Sequence, residues 1–162
     1  VPIAEAMKKI GYSRAMVVFG LASDEQRGMD EVSPSGKTFV AELREDGRIE
    51  TFNLWPEDFG AEPIDERYIL PREDRIEEAT ELLRVLSGEE RGPRETAVCI
   101  NSAPILYIAG KSRNLSEGFS ASREILRSGK AIEKLGEWVS LQNSDPAAGS
   151  ERLERLVERA LN

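Results

Sequence analysis

The stretch "RAMVVFGLASDEQRGMDEVSPSGKTFVAELREDGRIETFNL" (residues 14–54) decides the fold. It opens on a continuous apolar run, Ala15 to Phe19, with Val17 and Val18 adjacent and Gly20 closing it. That pattern predicts a strand covered on both faces, because a half-exposed strand would alternate apolar and polar residues. The stretch closes on two further strand-like segments around Glu45, Asp46 and Gly47, where an Asp-Gly pair favours a tight hairpin turn. In the first of these, Phe39, Ala41 and Leu43 alternate with more polar positions, which predicts one inward face and a charged outer face. Between strand and hairpin lies a loop with two Asp-Glu pairs, Asp24-Glu25 and Asp30-Glu31. Loops that interrupt core elements often carry function, so these carboxylates are the first candidates for chemistry.

Helices flank this unit. Upstream, "PIAEAMKKIG" has Pro2 in a first turn and Gly11 at a helix end. Downstream, "WPEDFGAEPIDERYILPRED" contains three prolines and seven carboxylates and reads as a long connection with at most one helical turn, starting at Pro56. A capped helix follows, with Asp74 as N-cap, Glu77 in capping-box spacing and Gly88 at the end. The next, from Pro93 to Gly110, is apolar almost all round, and Pro104 inside it predicts a kink near Asn101. Asn114 and Glu117 open a helical stretch that breaks at Gly129 into two. The expected fold class is α/β: a partial parallel sheet with a β-hairpin and several packing helices. Residues 1–142 form the main unit, and 143–162 a linker followed by a short amphipathic helix, which at about a dozen residues must dock on something to be stable.

Composition narrows the chemistry. The 22 basic and 30 acidic residues give a net charge of −8, which disfavours a nucleic-acid backbone as partner. No apolar run approaches the roughly 20 residues of a membrane span, and no basic n-region with an apolar h-region opens the chain. The single cysteine, Cys99, lies in an apolar setting and reads as a buried thiol of a reducing compartment, with cytoplasm as the expected location. The chain has no histidine, which removes Ser-His-Asp and Cys-His catalysis and every histidine-ligated metal site. Carboxylates, hydroxyls, lysine, arginine and backbone remain.

The combination Asp-Glu-Val-Ser-Pro (30–34), Pro-Glu-Asp-Phe-Gly (56–60) and Asn-x-Ala-x-x-Leu-Tyr-x-Ala-Gly-Lys (101–111) resembles the C-terminal half of the anthranilate phosphoribosyltransferase family. This family lies in glycosyltransferase family 3 of the nucleoside phosphorylase-like superfamily, and the likeness runs from about Ala4 to about Leu141. It implies an α/β domain of a pentosyltransferase of tryptophan biosynthesis that moves the phosphoribosyl group of phosphoribosyl pyrophosphate to anthranilate, with Mg²⁺ as cofactor. It also implies that Asp30 and Glu31 are the metal-side residues, since Mg²⁺ prefers hard oxygen ligands and supports a pyrophosphate leaving group without a protein nucleophile. The glycine-rich pyrophosphate loop, the lysine-histidine-glycine-asparagine stretch and the arginine that meets anthranilate have no counterpart here. The resemblance therefore implies a C-terminal portion inactive alone, whose partners are those two substrates and either further copies of itself or the missing half.

The other polar residues have plainer readings. Asp24-Glu25 reads as solvated surface in a lengthened loop, Ser33 and Ser35 as caps of local backbone, and Lys111 and Arg113 as charges complementing a helix end. Asn101 reads as a partner for kinked backbone. Two departures from the family, Phe19 where a histidine is common and the longer loop, keep open the alternative of a non-catalytic binding or structural subunit that completes a site with a partner chain. An exposed apolar face on "AMVVF" would mark such pairing.

Overall fold

The computed structural model describes residues 1–142 and 144–162, and the expected boundary at Asn143 falls outside them. Helix α1 (Pro2–Ile10) begins on its proline and ends at Gly11. It leads into β1 (Ala15–Leu21), the two-residue β2 (Gly28–Met29), β3 (Thr38–Leu43) and β4 (Ile49–Leu54). Two single 3₁₀ turns, Pro56–Phe59 and Glu66–Tyr68, lie in the connection that follows. The helical layer then runs α2 (Arg75–Leu86), α3 (Pro93–Ile108), α4 (Leu115–Arg127), α5 (Lys130–Gln142) and α6 (Pro146–Leu161).

The α/β class holds, but the sheet is antiparallel where a partial parallel sheet was expected. Its order is β2-β1-β3-β4, and every neighbouring pair is antiparallel. The reason is connectivity. Parallel neighbours need a crossover of a dozen or more residues, usually a helix, whereas β1 returns through loops to β2 and β3, and β3 to β4 through a tight turn. That turn lies at Glu45–Gly47 as the Asp-Gly pair predicts, with Gly47 at φ 81° and Arg44 N–H donating to the Arg48 carbonyl at 2.9 Å.

The sheet also corrects which residues face inward. Met16 and Val18 of β1, Val40 of β3 and Phe52 and Leu54 of β4 pack into the core with Val32, Phe59, Val85, Cys99, Ile100, Ala103, Phe119 and Leu126. The odd-numbered residues of β1 and β3 point the other way. There Phe19 is 50% and Phe39 43% exposed, so β1 is covered on one face only, and of the expected inward set Ala41 and Leu43 alone are buried. Glu42, expected on a charged outer face, is buried. Guanidinium groups of Arg14 at 3.7 Å and Arg44 at 3.3 Å balance its charge, which is what makes a buried carboxylate tolerable.

In the helical layer, α3 and α4 pack tightly and share a second buried carboxylate, Glu95, paired with Arg127 at 2.9 Å and Arg123 at 3.3 Å. Asp74 caps α2, accepting from the N–H groups of Ile76 and Glu77. Asn114 caps α4 as expected, while its box partner Glu117 accepts instead from the Arg113 N–H at 2.9 Å. Helix α3 continues through Pro104, which is buried. Helix α6 docks on α2 and α5 and buries Ala160, which resolves what the terminal segment leans on. Among the described residues, no helix is long and apolar enough to cross a membrane.

Candidate functional site

The loop that joins β1 to β3 carries the candidate carboxylates, and three anchors hold it. The first is Gly20. A Cβ at that position would stand 2.6 Å from the Glu31 carbonyl oxygen and 2.9 Å from the Ser33 nitrogen, so only a residue without a side chain lets the loop backbone pass. The second is Asn101 on α3. Its Oδ1 accepts the Val32 N–H at 2.8 Å, and its Nδ2 donates to the Val32 carbonyl at 3.0 Å and to the Ala97 carbonyl at 3.1 Å. One amide thus satisfies both backbone groups of the residue that follows Glu31, a task that the expected helix kink did not suggest.

The third anchor is Glu66, in the second 3₁₀ turn. Its Oε1 accepts from the Ser23 N–H and the Ser35 hydroxyl, each at 2.7 Å, and its Oε2 pairs with Arg27 at 2.8 Å. The Ser35 hydroxyl first, then the Ser23 N–H and Arg27, hold this carboxyl below its ordinary range. Between the anchors the loop folds on its own hydroxyls. Ser33 Oγ donates to the Leu21 carbonyl at 2.6 Å and accepts the Gly36 N–H at 2.9 Å, and Thr38 Oγ1 accepts the Ser33 N–H at 2.9 Å. Ser33 is therefore a cap of local structure, as read from the sequence, whereas the Ser35 hydroxyl reaches the distant Glu66 carboxylate instead of local backbone.

Asp30 and Glu31 sit at the free crest of this anchored loop. Both are exposed, and among the described residues no hydrogen bond or ion pair engages either carboxylate. Asp24 behaves differently: it accepts the Gln26 N–H at 2.9 Å and pairs with Arg27 at 3.2 Å, so it serves the loop's own structure. Arg113 pairs with Glu117 at 3.0 Å and Lys111 is exposed. Phe19 lies with its ring over Gly28, next to the start of the crest.

The donor set is open. Among the described residues, no group of three or more His, Cys, Asp or Glu side chains is placed to hold a metal ion. Two hard, unpaired carboxylates on a fixed backbone suit an ion that keeps most of its water and takes its remaining oxygens from a phosphorylated ligand, which is the habit of Mg²⁺. They do not suit a structural metal with an all-protein cage. Glu66 and Asn101 lie 35 and 70 residues from Glu31 in sequence, and no local pattern signals either.

Comparison with known proteins identifies the family. The family described as "Glycosyl transferase family, a/b domain" matches residues 1–132. The anthranilate phosphoribosyltransferase of Methanobrevibacter smithii is 38% identical over 143 residues, covering 88% of this chain and 40% of that protein. The structure of the Thermus thermophilus anthranilate phosphoribosyltransferase superposes with a TM-score of 0.70 at 29% identity, over 99% of this chain and 40% of that one. The Saccharomyces cerevisiae enzyme in complex with PRPP and Mg does so with a TM-score of 0.68 at 27% identity, over 82% of this chain and 36% of that one. The chain spans about 40% of the length of the curated relatives it matches. Over residues 1–132, from α1 to the start of α5, the chain belongs to the glycosyl transferase family, as part of its a/b domain.

Proposed function

We propose that the chain is the portion of an anthranilate phosphoribosyltransferase that presents Asp30 and Glu31 to Mg²⁺ and the pyrophosphate of phosphoribosyl pyrophosphate, with anthranilate as the acceptor. The observation that carries this reading is the pair itself: two carboxylates free of internal partners among the described residues, on a loop that Gly20, Asn101 and Glu66 fix at three points. Bound there, Mg²⁺ would neutralise charge that gathers on pyrophosphate as the bond to C1 of the ribose breaks. The chain's own part is to hold two negative oxygens in place while remaining otherwise uncommitted. The groups that bind anthranilate and activate its amine are read as lying in the rest of the family's length, so the activity belongs to this portion together with that remainder. A reducing, cytoplasmic setting agrees with the buried Cys99 thiol.

The test is a chimera in which residues 1–142 replace the matched segment of the Methanobrevibacter smithii enzyme. Phosphoribosylation of anthranilate is expected, with Asp30→Asn and Glu31→Gln each lowering kcat/KM by about tenfold or more and raising the Mg²⁺ concentration needed for half-activity. A folded but inactive chimera, or an active one indifferent to both substitutions, overturns the reading.

A further inference from the structure

A cavity of about 380 Å³ opens where the start of β1 and the end of β3 meet the first turn of α4. It lies at the other end of β1 from the carboxylate crest: Glu42 pairs with Met16 near the strand's start, whereas the crest loop leaves from its end. Met16, Phe52, Leu54 and Leu115 give the cavity an apolar wall. Two polar features interrupt that wall. The first is Glu42, which lines the cavity while only 1% exposed. Its charge is balanced, yet its Oε1 accepts no hydrogen bond among the described residues. Arg14 stands at 3.7 Å, too far to donate, and Arg44 is committed to the Glu50 carboxylate at 2.9 Å and the Tyr107 hydroxyl at 3.2 Å. Buried polar atoms rarely go without a partner, so this oxygen is an acceptor open to a donor.

The second feature is the N-terminus of α4, a helix of 13 residues. Asn114 supplies the acceptors for the N–H groups of Glu117 and Gly118. Those of Leu115 and Ser116, both residues of the cavity wall, have no partner among the described residues, as is usual in a helix's first turn. Beside them Arg113 pairs with Glu117 through Nε, and its two terminal nitrogens are unpaired among the described residues. Free N–H groups, the positive end of a helix dipole and a guanidinium suit an anion.

We infer that this cavity binds a small amphoteric molecule, with its anionic group at the α4 N-terminus and Arg113, an apolar body against Met16, Phe52 and Leu54, and an ammonium at the inner end on Glu42 Oε1. The chemistry follows from opposite requirements at the two ends. A plain anion would meet the carboxylates of Glu42 and Asp58, which both line the cavity, and a plain cation would meet Arg113 and the helix terminus. A molecule carrying both charges satisfies each end, and its body displaces water from the apolar wall. The inference is independent of the proposed function, since none of these residues belongs to the crest or its three anchors.

The probe is para-(aminomethyl)benzoate, which holds a carboxylate and an ammonium at opposite ends of one ring. The full chain is titrated with it by calorimetry and followed by amide NMR. Saturable one-to-one binding at millimolar concentration or below is expected, with amide shifts at Glu42, Phe52, Leu115 and Ser116 and none at Asp30 or Glu31. Para-methylbenzoate, which lacks the ammonium, and benzylamine, which lacks the carboxylate, should each bind about tenfold or more weakly than the probe. Glu42→Gln should weaken the probe by about tenfold. Arg113→Gln, at a side chain 89% exposed, should weaken it by about threefold and decides the matter if Glu42→Gln fails to fold. No saturable binding, equal binding of either truncated analogue, shifts confined to the crest, or unchanged affinity in the folded variants overturns the inference.

Discussion

The residue that most directly governs the candidate site is Asn101, because its side chain pairs with both backbone groups of Val32 across 69 positions of sequence. Replacing it with alanine leaves a part-buried N–H and C=O without partners. Each unpaired buried group costs about 1–3 kcal/mol, so Asn101→Ala should lower the unfolding free energy by at least about 1 kcal/mol in urea titrations. In the chimera it should also raise the KM for phosphoribosyl pyrophosphate more than it lowers kcat, since the carboxylates remain but their seat loosens. Sequence reading reached Asp30 and Glu31 through the motif around them, yet assigned Asn101 only to helix backbone. A side-chain amide facing a distant loop has no signature in the residues beside it.

At the scale of elements, the β1–β3 loop is a small structure in its own right, and Glu66 is its clasp. Its carboxyl is held below the ordinary glutamate range in the folded chain. A depressed carboxyl contributes stability that is fully present above its unfolded value, near 4.5, and is lost as the pH falls through the folded one. Wild-type chain should therefore be more stable than Glu66→Gln at pH 7, and the gap in urea midpoint should shrink steadily toward pH 3. A constant gap would show that the charge on Glu66 plays no part. The hairpin, the caps at Asp74 and Asn114 and the turn at Gly129 were all legible, because each rests on residues within four positions of one another. The orientation of β3 was not. Glu42 lies inside because Arg14, Arg44 and Tyr107, which bonds Arg44 through its hydroxyl at 3.2 Å, gather around that end of the sheet. Period-two patterning cannot see such a neutralised charge.

For the whole molecule, one core joins the inner face of the sheet to α2, α3 and α4, and Cys99 belongs to it with no exposed surface. Burial first, and the nearby Glu95 carboxylate second, push this thiol up to about 11. At pH 8 a thiol reagent should label the native chain only as fast as it unfolds, and labelling should accelerate in step with urea-induced unfolding. Rapid labelling without denaturant would mean that the core opens locally. The sequence by itself determined the α/β class, the turn and cap positions, the acidic charge, the absence of histidine chemistry and the two carboxylates with a motif around them. These depend on residue type and short spacing, where local sterics and hydrogen bonding act. Only the tertiary structure decided that the sheet is antiparallel, that one face of β1 stays open, and that Gly20, Asn101 and Glu66 together hold the carboxylate crest. Those outcomes depend on contacts between residues tens of positions apart, whose geometry is set by packing of the whole chain.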